Sequence, residues 1–337
     1  MTNEAAAKKI NMIQALNMAL HDAMAADREV IVFGEDVADP EEGGIVGVTK
    51  GLSTTFGELR CRSTPIAEQA IVGAAIGASI MGMKPVAEIM LMNFTTVAMD
   101  MIVNHAAKLR FMSGGQTHVP LVIRTATGAG LSVGGQHADY YEAWFAHTPG
   151  IKVVMPSSPA EAYGLLRSAI DDPDPVIFVE NTLLYFAPGL APESGTRIPL
   201  GLANVIKPGG DVTLICYGPH VAPSLAVAKK LDAEGISVEV IDLRTIAPWD
   251  NATVLASVAK TRCAVVTHEA VKPFGVGAEI SSVIHEELFS QLKAPVQRVG
   301  APYCPVPYSK PLEVAFMPGA DVIEAAVHKA LQVRTIA

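Results

Sequence analysis

Apolar residues recur at helical spacing through Met12, Ala15, Leu16, Ala19, Leu20 and Ala23, directly after Asn11, and a β-branched and aromatic run follows over 30–33. That pattern predicts an amphipathic helix leading into a buried strand. The alternation continues. Strand-like runs at 85–90, 119–124, 153–155 and 175–179 are separated by helical patterns such as 96–111 and 159–170. Strands alternating with helices predict a mainly parallel sheet covered on both faces. Over 185–200 the periodicity gives way to a cluster of turn formers, and it resumes at 212–217, 222–233, 238–243, a helix after Asp250, and 264–267. The expectation is α/β with two doubly wound domains, residues 1–187 and 206–337, joined by a linker over 188–205. No internal repeat is evident.

A length of 337 residues suits two such domains. With 25 Lys and Arg against 34 Asp and Glu, the formal charge of −9 is too acidic for a generic binder of phosphate backbones, so nucleic acid is not an expected partner. Half the residues are hydrophobic and 18% are charged, far from the profile of a disordered chain, and some apolar surface is expected to be hidden in an oligomer. The longest uncharged apolar run, 70–83, contains Gly73, Gly77 and Gly82 and falls short of the roughly 18 residues of a membrane span. It reads as a buried helix whose glycines allow close packing, with no membrane role. Glu4 precedes Lys8 and Lys9 without a signal-like apolar core, which favours a cytoplasmic protein. Cys61, Cys216, Cys263 and Cys304 form no CxxC pair, so reduced, mostly buried thiols are expected.

Three places carry candidate chemistry. Thr64-Pro65 reads as an N-cap followed by proline at the first helical position, which puts Glu68 in the first turn. Glu68 is the only ionisable side chain between Arg62 and Lys84. It either complements the helix dipole, or its pKa is raised by desolvation so that it donates a hydrogen bond to a nitrogen base. Gly34-Glu35-Asp36-Val37 follows the first strand, at the sheet edge where open α/β folds bind ligands; the alternative is a solvated acidic loop. Thr127-Gly128-Ala129-Gly130 and Gly134-Gly135-Gln136-His137 form a glycine-rich loop carrying one histidine, either a surface residue or a proton-transfer group. The glycines imply close backbone approach to something. P-loop, nucleophile-elbow, zinc-protease and dinucleotide-binding signatures do not occur in the right setting.

Taken in order, Gly34-Glu35-Asp36-Val37, Gly47-Val48-Thr49-Lys50-Gly51-Leu52, Thr64-Pro65-Ile66-Ala67-Glu68, Ala107-Lys108-Leu109-Arg110-Phe111-Met112-Ser113-Gly114-Gly115, Gly135-Gln136-His137 and Ile241-Asp242-Leu243-Arg244-Thr245 resemble the beta subunit of thiamine-dependent 2-oxo acid dehydrogenases. His147-Thr148-Pro149-Gly150, Asp172-Pro173-Asp174-Pro175 and His268-Glu269-Ala270 extend the resemblance over nearly the whole chain. It implies a transketolase-like pyrimidine-binding domain followed by a transketolase C-terminal domain. The implied cofactor is thiamine diphosphate, with Glu68 bonded to its aminopyrimidine ring and promoting the tautomer that deprotonates the thiazolium carbon. Glu35, Ile66, Met90, Phe94 and Gln136 would surround the cofactor, and His137 would handle protons or orient substrate and lipoyl group. The family forms a cofactor-bound acyl carbanion and transfers it to that lipoyl group.

The family's Mg2+ and diphosphate motif, Gly-Asp-Gly followed by asparagine, is absent, and Gly210-Asp211-Val212 is the nearest fragment. The resemblance therefore implies a separate alpha subunit that holds Mg2+, in an alpha2beta2 heterotetramer, and a lipoyl acyltransferase docked through its subunit-binding domain. Potassium would be bound at Leu121, Ala169, Ile170, Asp172 and Asp174. After the histidine, Ala138-Asp139 stands where pyruvate-active relatives read Ser-Gln, with Tyr140-Tyr141 following, and the added carboxylate and two phenols suit a hydroxylated donor. Pyruvate, another 2-oxo acid or acetoin is the expected donor. A ketose-cleaving two-carbon transferase of transketolase type and a non-catalytic scaffold subunit are the alternatives.

Overall fold

The computed structural model describes residues 8–332. They divide into two compact units, residues up to 127 with 144–200, and 128–143 with the residues from 201 onward.

In the first unit, helix α1 (Met12–Ala26) opens on a capping box in which the Asn11 side chain accepts the Gln14 amide at 2.9 Å and the Gln14 side chain accepts the Asn11 amide at 3.0 Å. Strands β1 (Val30–Gly34) and β2 (Cys61–Ser63) precede helix α2 (Glu68–Ile80). Strands β3 (Lys84–Leu91), β4 (Val122–Thr127) and β5 (Lys152–Val154) are followed by helix α3 (Pro159–Asp171) and strand β6 (Val176–Asn181). These strands pair in parallel in the order β5-β6-β4-β3-β1-β2. Leu16 and Leu20 of α1, Tyr163 of α3, and Val32, Val86 and Phe178 of the sheet share one core. Because the strands are parallel, their carboxyl ends share one edge, and Glu35 emerges there.

Two expected helices differ. Helix α2 begins at Glu68, with Ala67 as its N-cap, because the Thr64 amide donates to Gly34 O at 2.8 Å and its hydroxyl turns to Pro65 O instead of capping. Glu68 stays in the first turn, but Gly82 lies past the helix end with φ +92°. A Cβ on Gly73 would make an ordinary contact 3.5 Å from Met101 Sδ and one on Gly77 would meet nothing within 4 Å, so neither position requires glycine for close packing. The helix expected over 96–111 is broken into a 3-10 turn (Met92–Thr96), a π-helical turn (Met101–Ala106) and a short α-turn (Leu109–Met112). The Ala107 amide reaches back five residues to Ile102 O, and the Ala107 carbonyl lies against Gly150.

The second unit contains β7 (Asn204–Lys207), β8 (Val212–Cys216), α4 (Val221–Asp232), β9 (Val238–Asp242), α5 (Asn251–Thr261), β10 (Ala264–Val271), α6 (Val276–Leu288), β11 (Gln297–Ala301), α7 (Lys310–Phe316) and α8 (Ala320–Leu331). Its strands run in the order β11-β10-β8-β9-β7, with only β7 antiparallel to its neighbour. Val212, Leu214, Val240, Val265, Ile323 and Val327 form the core. The segment 128–143 was expected in the first domain and groups with this unit instead, because Ala129 and Ala138 are buried in an apolar cluster with Ala301, Val306 and Phe316. Among the described residues no helix is long and apolar enough to cross a membrane. Cys61, Cys216 and Cys263 are buried free thiols and Cys304 is exposed.

Candidate active site

Glu35 leaves the carboxyl end of β1 and is 7% exposed, and its Oε1 has no hydrogen-bond partner. Burial raises its pKa, and the charge of Glu68 raises it further, followed by Asp36 and Glu88. Glu68 opens α2 and is 8% exposed. A carboxyl pushed towards its neutral form beside a second carboxyl offers both a proton donor and acceptors. That combination matches a nitrogen heterocycle presenting ring nitrogen and amino group together. Leaving a buried oxygen unsatisfied costs on the order of 1–3 kcal/mol, so the orphaned Oε1 of Glu35 marks a place for a ligand group. Met90, half-buried on β3, and Phe94, in the turn after it, lie at the same sheet edge. Ile66 is 82% exposed in the turn before α2.

Beside these residues lies a charged network that the sequence reading did not pick out. Arg124 on β4 is 1% exposed and donates from Nε and Nη2 to Glu180 at 2.7 and 2.9 Å, and from Nη1 to Glu88 at 2.5 Å. The Tyr185 hydroxyl donates to Glu180 at 2.6 Å. Register explains the meeting, since Glu88 on β3 is the direct neighbour of Arg124, and Glu180 on β6 is the neighbour of Ala126. Burial disfavours the guanidinium charge, but Glu180 and then Glu88 outweigh it and hold Arg124 protonated. One cation cannot neutralise two carboxylates. Glu180 takes the two-pronged contact, and burial pushes the pKa of Glu88 up. Three charged residues inside otherwise apolar strands were the available signal.

In the second unit, Gln136 and His137 are exposed on the glycine-rich loop, where the His137 amide donates to Gly134 O at 3.2 Å. The close approach anticipated from the glycines is to the chain itself: a Cβ on Gly134 would lie 3.3 Å from the Tyr308 ring, and one on Gly135 would lie 3.3 Å from Pro305. The polar residues after the histidine are already engaged. The Tyr140 hydroxyl accepts the Ala129 amide at 2.7 Å, and burial followed by Glu269 holds its pKa well above the usual value. The Tyr141 hydroxyl donates to Asp139 at 3.2 Å. These side chains shape the loop, which weakens the expectation that they bind a hydroxylated donor.

The residues expected to hold potassium are arranged around ion pairs. Asp172 accepts Lys152 Nζ at 2.7 Å, and Asp174 accepts Arg110 at 2.7 Å and Lys152 at 3.3 Å. Burial alone would raise the pKa of Asp174, but Arg110 and Lys152 bring it below the usual value. Leu121 O accepts the Val176 amide at 2.9 Å and Ala169 O the Asp172 amide at 3.3 Å. Both carboxylates of this set are thus already paired with cationic side chains. Gly210-Asp211 is a structural turn: Asp211 accepts the Ser237 amide at 2.7 Å and the Gly210 amide donates to the Ser237 hydroxyl at 3.1 Å.

This fold, with an acidic cluster at the sheet edge of its first unit, defines a transketolase-type protein: residues 8–187 match the transketolase pyrimidine binding domain and residues 201–323 the transketolase C-terminal domain. The chain belongs to this family, in the branch of the beta subunits of 2-oxo acid and acetoin dehydrogenases. It is 43% identical over 334 residues to the acetoin:2,6-dichlorophenolindophenol oxidoreductase subunit beta of Cupriavidus necator, covering 97% of this chain and 98% of that protein. It is 44% identical over 330 residues to the mitochondrial pyruvate dehydrogenase E1 component subunit beta-2 of Oryza sativa subsp. japonica, covering 97% and 87%. A solved structure described as a split gene transketolase, inactive beta4 tetramer, shares the fold with TM-score 0.78 at 24% identity, over 96% of this chain and 99% of that one.

Proposed function

We propose that this chain is the beta subunit of a thiamine diphosphate-dependent 2-oxo acid or acetoin dehydrogenase, active with an alpha subunit in an alpha2beta2 heterotetramer. The observation that carries the reading is the pair Glu35 and Glu68, with its buried, unpartnered oxygen at the carboxyl edge of a parallel sheet. Glu68 would hold the ring nitrogen of the aminopyrimidine and Glu35 its neighbouring polar group, with Ile66, Met90 and Phe94 supplying apolar surface. When bound, thiamine diphosphate supplies the electron sink for cleavage next to a carbonyl. The chain's own part is to fix the ring and set the proton balance at Glu68. His137, on its loop with Gln136, would move protons or orient the donor and the lipoyl group of the acyltransferase. Mg2+ and the diphosphate fall to the alpha subunit. A potassium ion would use the main-chain oxygens named above. Four free cysteines fit a reducing, cytoplasmic setting.

The ketose-transferase reading rested on Asp139, Tyr140 and Tyr141, whose polar groups are engaged within the loop. The scaffold reading leaves the unsatisfied oxygen of Glu35 without a purpose. Calorimetry with thiamine diphosphate and Mg2+ tests the proposal, on the chain alone and co-purified with its alpha subunit. Binding in the pair only is the expected result, and tight binding by the lone chain would refute the divided site. In the complex, Glu68→Gln should lower turnover at least about a hundredfold, the scale of a lost acid-base group. Unchanged turnover would sink the role given to Glu68.

A further inference from the structure

The loop that presents His137 is clamped to the second unit by one buried carboxylate. Glu313 on α7 is 1% exposed. It accepts the Gly130 amide at 2.7 Å, the Ser132 amide at 3.0 Å on each oxygen, and the Ser132 hydroxyl at 3.1 Å. Ser132 sits at φ +56°, in the left-handed region that is costly for a residue with a side chain, and Gly128 and Gly130 stand at +133° and +112°. A conformation of that kind persists only where its surroundings over-determine it. Here three donors converge on one carboxylate, the Ala129 amide is fixed by the Tyr140 hydroxyl, and Ala129 and Ala138 are buried on either side of the histidine. The exposed imidazole stands on a short, immobilised stalk.

We infer that Glu313 is a positioning residue for His137, acting through the backbone of Gly130 and Ser132. The inference rests on the proposed role of His137 in the reaction. A proton-transfer or orienting group loses efficiency when displaced by an ångström or less, and a residue 181 positions away from Ser132 in sequence controls that placement. The carboxylate of Glu313 is taken up by Gly130 and Ser132, so turnover should fall by more than cofactor affinity does.

The test is Glu313→Gln in the complex with the alpha subunit, alone and combined with His137→Gln. The amide replaces one acceptor by a donor facing the Ser132 amide and hydroxyl. Expected are a fall in kcat of about tenfold, a thiamine diphosphate Kd within about twofold of wild type, and faster hydrogen exchange over 128–137. In the His137→Gln background the residual turnover should show no further loss, a coupling that general destabilisation does not produce. Ser132→Ala, which removes only the hydroxyl contact, should lower kcat by about threefold with the same coupling, and decides the matter should Glu313→Gln not assemble. Full activity in assembled Glu313→Gln, or an equal fractional loss in both backgrounds, would overturn the inference. Unchanged turnover in His137→Gln alone would overturn the functional reading of the histidine, and the inference with it.

Discussion

Replacing Arg124 by methionine isolates the energetics beneath the candidate site. The guanidinium makes three short contacts, two to Glu180 and one to Glu88, in a place where the side chain is almost wholly buried. Removing it strands two carboxylates inside the sheet. Breaking a buried ion pair from one side costs about 3–5 kcal/mol, and for a unit of roughly 150–250 residues each kcal/mol lowers Tm by about 2–4 °C, so a drop of about 6–20 °C is expected. The loss should also depend on pH. Without the arginine, nothing offsets the burial that already raises the pKa of Glu88, so stability is retained below its unfolded pKa and lost as pH climbs through the folded one. The destabilisation should therefore be larger at pH 8 than at pH 5. A triple variant adding Glu88→Gln and Glu180→Gln removes the stranded charges and should recover most of the loss. Thermal unfolding of the complex by circular dichroism, at both pH values, measures all of this. An Arg124→Met protein within about 1 kcal/mol of wild type, or a triple variant no more stable than the single one, would refute the argument.

Two other expectations concern stability. In the second unit burial lowers the pKa of His220 to about 3, with help from His268, and that of His268 to about 4 against a bond to Ala270 O. Both are neutral when folded, and their contribution is present above the unfolded pKa near 6.5 and lost as pH falls towards the folded values. Urea unfolding followed by Trp249 fluorescence should show about 2 kcal/mol lost per histidine between pH 7 and pH 5, and His268→Gln should abolish its share; an unaltered pH slope in that variant would contradict the burial argument. Gly150→Ala should cost about 3 kcal/mol or more, because φ is +100° and the new Cβ would lie 1.9 Å from Ala107 O. Normal yield and Tm of that variant would show the contact to be yielding.

Local physics made a large part of the fold readable. Asn11 caps α1 and Ser158 caps α3 through hydrogen bonds spanning three residues, so the cue and its consequence share one short window. The strands at 30–34, 84–91 and 176–181 were visible because both faces of a parallel sheet are buried and their sequences are mostly apolar. The start of α2 was less readable. Thr64-Pro65 carries a valid N-cap signal, but the pairing of β2 with β1 continues through the Thr64 amide and outcompetes it. The helix expected at 96–111 is broken where it meets the rest of the fold, and the Ala107 carbonyl there lies against a residue distant in sequence, Gly150.

The sequence by itself determined the alternation of strands and helices, the acidic residue at the head of α2 and the family resemblance, because each depends on residue types at short or fixed spacing. Tertiary structure alone decided which carboxyls share an environment. Burial and then the charge of Glu68 raise the pKa of Glu35, Arg124 bridges Glu88 and Glu180, and Glu313 clamps Ser132 across 181 positions. Charges and hydrogen-bond donors act over a few ångströms of space whatever their separation along the chain. Strand register and the docking of segment 128–143 on the second unit are what bring them within that range.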